Sequence, residues 1–127
     1  MAKSYYLDNA VLDAALRNTA YSSPATVYVA LYTASPGPTG GGTEVSGGSY
    51  ARTVCTFGAP SSGALVNSAP CTFPQATGNW GTVTSFGVFD APTGGNLLYY
   101  GNLTASKTIN TGDQLTFATS GISVTES

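Results

Sequence analysis

The chain contains no histidine, and only 8% of its residues are charged. The first absence removes the commonest general base and the commonest metal ligand together. The second sets the chain well below the roughly 25% charge of an ordinary domain. Its cations, Lys3, Arg17, Arg52 and Lys107, are scattered and form no basic stripe. Nucleic acid is therefore not an expected partner, because neutralising several phosphates takes clustered cations. Long hydrophobic runs are missing too. The longest, Val27–Tyr32, falls far short of the roughly 20 residues of a membrane-spanning helix. The opening MAKSYYLDN lacks the apolar core of a secretory signal, so neither membrane nor export is expected.

The acids do not gather. Asp8 and Asp13 lie on different faces of any helix they share, and Glu44, Asp90, Asp113 and Glu126 are dispersed. None has the spacing of a carboxylate dyad or a calcium loop, which leaves only a tertiary meeting of Asp90 and Asp113 open. No serine sits in a nucleophile elbow. Gly40-Gly41-Gly42 lacks the Lys-Ser/Thr that completes a phosphate loop. The expectation is no enzyme, no metal and no cofactor. Asn102-Leu-Thr104 matches a glycosylation acceptor, but without an export signal it carries no weight. Cys55 and Cys71 are the only thiols and cannot make a zinc site by themselves. They read either as buried reduced thiols acting as small hydrophobes or as a disulfide formed in an oxidising medium.

What remains is rich in Ser, Thr, Gly and Asn, with eight tyrosines and one tryptophan. Such a composition makes a neutral, hydrogen-bonding coat that repels neighbours weakly. Ser4–Asn18 reads as the one helix, with Leu7, Val11, Ala14 and Ala15 on a face, Leu12 and Leu16 beside it, and Pro24 beyond its end. Thr26–Thr33 reads as a strand buried on both faces. Ala34–Ser49 (ASPGPTGGGTEVSGGS) reads as a long Gly/Pro loop, either functional or a mobile tip. Strands follow at Tyr50–Phe57, Ala64–Asn67, Pro70–Phe73, Thr82–Asp90, Asn96–Leu103, Leu115–Ala118 and Ile122–Thr125. In Thr82–Asp90 the apolar parity changes between Val83 and the pair Phe86 and Val88, which predicts a bulge near Thr84–Phe86 or burial on both faces. Short strands at this spacing predict a mainly β, single β-sandwich or jelly-roll-like domain over 1–127, with an arm and helix at 1–20 and the loop at 34–49.

The block FPQATGNWGTVTSFGVFDAPTGGNLLYYGNL, from Phe73 to Leu103, resembles a widespread family of small phage virion proteins, labelled tail-fibre-like or head-decoration proteins. The likeness extends to Tyr21-Ser-Ser-Pro-Ala-Thr-Val-Tyr-Val-Ala-Leu-Tyr-Thr, to Gly47-Gly-Ser-Tyr-Ala-Arg, and to Gly112-Asp-Gln-Leu-Thr-Phe with Gly121-Ile. It implies a virion structural protein, assembled in the host cytoplasm. Its first reading is a capsid decoration protein whose partners are the major capsid protein and sister copies in a homotrimer. The alternative is a tail-tip or fibre module that binds a host-surface glycan, and a collar or connector component stands third. Relatives commonly carry aliphatic residues where this chain has Cys55 and Cys71. Replacement at both positions implies pairing, within a chain or between chains. The contact residues expected from this reading are Lys3, Tyr5 and Tyr6 on the arm, Glu44 in the loop, and Trp80, placed at the hairpin tip.

Overall fold

A computed structural model describes residues 2–125; Met1, Glu126 and Ser127 lie outside the described residues. The chain runs β1 (Ala2–Lys3), α1 (Tyr5–Leu16), β2 (Val27–Ala34), β3 (Thr43–Glu44), β4 (Thr53–Cys55), β5 (Ala64–Val66), β6 (Cys71–Thr72), β7 (Gly81–Phe89), β8 (Leu97–Ile109), β9 (Thr116–Phe117) and β10 (Ser123–Thr125). A six-stranded sheet has the order β1-β8-β7-β2-β3, with β4 also pairing β2. Two small ribbons, β5–β10 and β6–β9, complete the strands. Every pairing is antiparallel. The expected mainly β, sandwich-like fold with one helix is the fold observed.

Strand β2 explains the architecture. Val29 and Leu31 point into the main core, while Ala30 and Tyr32 point into a second cluster with Phe89 and Leu97. Alternate side chains of a strand leave opposite faces, so a run with no polar break must be covered on both sides. The main core fills the space between the large sheet and the two ribbons, which with their flanking residues contribute Cys71, Phe73, Leu115, Ile122 and Val124. The ribbons are tied together by Asn67, which is fully buried. Its amide donates to the Ala69 and Ala118 carbonyls at 2.9 Å each, and its oxygen accepts from the Ile122 N–H at 2.8 Å. A buried amide is tolerated only when its donors and acceptor are paired in this way.

The parity change in β7 has both of its expected causes. The β7–β8 register shifts between Val83, opposite Lys107, and Ser85, opposite Asn102. Across that break Val83 and Val88 reach the same core, although they stand at odd and even positions. Beyond it the strand is covered on both faces, with Val88 in one cluster and Phe89 in the other. The structure adds two strands that the pattern did not show, β1 and β3, each of two residues. The Ala34–Ser49 stretch is accordingly not a free tip. It folds back so that Thr43–Glu44 pairs with β2, and the Val45 N–H donates to the Leu31 carbonyl at 3.0 Å with Val45 buried.

Candidate functional site

Helix α1 begins where the sequence offers a cap. The Ser4 hydroxyl accepts from the Leu7 N–H at 3.2 Å and donates to the Leu97 carbonyl. A cap that faces two ways fixes both the start of the helix and its place on β8. Tyr5 continues the attachment, its N–H donating to the Pro38 carbonyl at 2.9 Å. The first turn therefore meets the Ala34–Ser49 loop on one side and the start of β8 on the other.

The β7–β8 turn supplies the third wall. Asp90 accepts from the Asn96 backbone N–H at 2.7 Å and from its side-chain amide at 3.1 Å. Gly95 adopts φ 72°, and a Cβ there would lie 2.5 Å from the Asp90 carboxylate. Only glycine lets the turn close that tightly. Between these walls lies an open cleft of about 400 Å³, lined by Ser4, Tyr5, Tyr6, Pro38, Thr39, Gly40, Phe89, Gly95, Asn96 and Leu97. No charged side chain is among them. Tyr5 and Tyr6 are 59% and 43% exposed, while Phe89 and Leu97 belong to the buried second cluster beneath.

Beside the cleft, Arg52 ties the loop to the turn. It forms a two-pronged pair with Glu44, from Nε to Oε2 and from Nη2 to Oε1, both at 2.9 Å. Its Nη1 donates to the Ala91 and Gly94 carbonyls at 3.1 and 2.8 Å, and the guanidinium stacks over Phe89 at 3.7 Å from the ring centre. The Tyr50 hydroxyl donates to Glu44 at 2.7 Å and accepts from the Leu31 N–H at 2.9 Å. Burial by itself would raise the Glu44 carboxyl. The hydrogen bonds from Arg52 and Tyr50, with the Arg52 charge, instead hold it below the usual carboxylate range. Burial, with Glu44 nearby, pushes the Tyr32 hydroxyl up to about 12.

These contacts revise the expected interface residues. Tyr5 and Tyr6 stand exposed at the cleft. Lys3 lies in β1 with 14% side-chain exposure and a 3.7 Å contact to Asp8. Glu44 is not free for a partner, since Arg52 and Tyr50 already take its carboxylate. Trp80 is not at the hairpin tip, which is formed by residues 90–96. It precedes β7 and is buried, edge-on to Tyr50 with ring centres 5.4 Å apart. Its indole N–H donates to the Gly48 carbonyl at 2.9 Å, so it pins the loop instead of greeting a partner. Cys55 and Cys71 are bonded to each other, with Cα atoms 5.5 Å apart, and join β4 to β6 inside the core. Asp90 and Asp113 each serve their own turn, and no group of three or more His, Cys, Asp or Glu gathers among the described residues. The sequence alone does not mark Ser4, Arg52, Phe89 and Asn96 as site residues. Ser4 carries a local signal as a serine just before a helical run, whereas the others meet only through tertiary pairing.

A mainly β domain with a neutral polar coat and a shallow aromatic cleft fits the class that the sequence resembles, phage virion structural proteins. The match is specific: residues 2–125 fit the family described as Podophage GP4 fiber I protein gp80, and the chain belongs to that family. No curated protein matches it. Membership in a fibre family favours the fibre reading over capsid decoration, the first reading of the resemblance.

Proposed function

We propose that this chain is a non-enzymatic fibre module of the phage tail, and that its cleft holds a neutral host-surface saccharide. The observation that carries the reading is the pairing of exposed Tyr5 and Tyr6 with an uncharged polar rim, Thr39 and Asn96, over a buried apolar floor. Aromatic faces pack on the C–H faces of sugar rings while amides and hydroxyls orient their hydroxyl groups. The volume, about 400 Å³, is at the lower end for ligand pockets and suits one or two sugar units. The absence of a cation in the lining argues against phosphorylated or carboxylated sugars. In this reading the chain assembles in the host cytoplasm with sister copies and is carried on the tail.

Two measurements test it. Immunogold labelling of intact particles should mark the tail, and label confined to the head would return the protein to capsid decoration. Titration with lipopolysaccharide-derived and other host oligosaccharides should show binding that Tyr5→Ala and Tyr6→Ala abolish while the circular dichroism spectrum stays unchanged. Equal binding by the variants would remove the cleft from recognition.

A further inference from the structure

The far side of α1 carries an unexplained surface. Leu7 is the only helix residue that is buried. Leu12 is 54% exposed and Leu16 is 78% exposed, and leaving a leucine in water is costly. With about 3.6 residues per turn, Tyr5, Asn9, Leu12 and Leu16 fall in one narrow stripe, opposite Leu7. The steps along this stripe alternate between four and three residues, the spacing of a helix-pairing seam.

We infer that this stripe is a self-association seam, and that its occupant is the same helix of a second copy of this chain. Asn9, which is exposed, argues for that occupant. An amide in the middle of an apolar stripe would be stranded against a lipid surface or a wholly apolar partner. Against its own copy it is self-complementary, because each amide offers both donor and acceptor. A single asparagine at such a position sets register and copy number in paired helices. The charges beside the seam do not oppose identical helices. Asp8 is contacted by Lys3 at 3.7 Å and Asp13 by Arg17 at 3.2 Å, so each flank is locally neutral. Tyr5 belongs to both seam and cleft, so pairing would set the clefts of neighbouring copies side by side. The inference holds whether or not the cleft takes a saccharide.

Three turns of helix make a contact smaller than the roughly 1,000 Å² of an independently stable interface. Association should therefore be weak in free solution. The test is sedimentation equilibrium of the full chain up to about 1 mM, the effective concentration that short tethers create. The wild type should associate. Leu12→Glu with Leu16→Glu should weaken association by at least about tenfold, the change that loss of one buried leucine corresponds to. Neither residue lines the cleft or enters the core, so the melting temperature should not move. Asn9→Leu should associate more tightly but with mixed stoichiometry. A wild type that stays monomeric throughout would overturn the proposal, as would equal association by the double variant. Uptake by phosphatidylcholine vesicles that the double variant loses would assign the stripe to a membrane surface and overturn it as well.

Discussion

At the scale of single residues, Arg52 and Glu44 decide how the loop is held. Arg52 is almost fully covered, with 8% side-chain exposure against 27% for Glu44, and its donors reach three backbone or side-chain partners across two segments. Removing Arg52 leaves the partly exposed Glu44 carboxylate with Tyr50 and solvent, at a cost of about 1–3 kcal/mol for the lost charged hydrogen bonds. Arg52→Ala should lower the urea midpoint accordingly. The pH dependence follows from the direction of the Glu44 shift. Its carboxyl titrates lower in the folded chain than in the unfolded one, so its contribution is complete above the usual glutamate range near about 4.3. It is lost as pH falls through the depressed folded value. Urea midpoints should hold steady from neutral pH to about 5 and drop below about 4. Glu44→Gln should be less stable at neutral pH and should show a shallower acid drop. An identical acid profile in that variant would mean that other carboxylates govern the drop.

At the scale of elements, α1 is attached by its first turn. The cap, the Leu7 contact and the Tyr5–Pro38 hydrogen bond all lie at that end. The helix ends at Leu16 without needing Pro24. Asn18 adopts φ 52°, and the turn brings the N–H groups of Arg17 and Thr19 to the Asp13 carbonyl at 3.0 and 3.1 Å. Such a left-handed residue is a common helix terminator. Ser4→Ala removes the cap and the tie to Leu97 together, and a cap alone contributes about 1 kcal/mol. The variant should lose helical circular-dichroism signal in the far ultraviolet and protection of the first-turn amides, while the sheet amides of β2 and β7 keep theirs. Loss of protection across the whole sheet would show that the arm is integral to the fold. The sequence pattern sets Leu12 and Leu16 beside an apolar face of Leu7, Val11, Ala14 and Ala15. In the structure only Leu7 of that face is buried, and Leu12 and Leu16 turn out to solvent.

At the scale of the whole molecule, the sparse charge is mostly used internally. Among the described residues, Glu44 pairs with Arg52, Asp13 with Arg17, and Asp8 with Lys3. Asp90 and Asp113 accept hydrogen bonds within their own turns. Few charges remain for attachment to a virion. In the fibre reading proposed above, contacts with neighbouring subunits would then rest on aromatic and aliphatic burial with polar hydrogen bonds around them. Ion pairs between exposed groups weaken in salt, since the Debye length falls from about 8 Å at physiological strength to about 3 Å at 1 M. The protein should stay on purified particles through a molar sodium chloride wash and leave only with denaturant or heat. Quantifying it in pellet and supernatant checks this, and quantitative release by salt alone would show that charge dominates the contact.

The sequence by itself determined the class of fold and the class of protein. The two-sided apolar run of β2, the turn chemistry around residues 90–96 and the parity break in β7 are local features, and local features are written in neighbouring residues. The fibre-type family was legible for the same reason, through continuous segments such as Phe73–Leu103. What only the tertiary structure decided is which surface is available. Trp80 looked like an interface residue by type, yet long-range pairing buries it against Tyr50 and Gly48. Glu44 looked like a free loop charge until Arg52, brought alongside by β4, took both of its oxygens. The cleft joins the first helical turn, the 34–49 loop and the β7–β8 turn, segments far apart in the chain. No periodicity reports such a meeting, because it depends on how strands pair and not on what each strand contains.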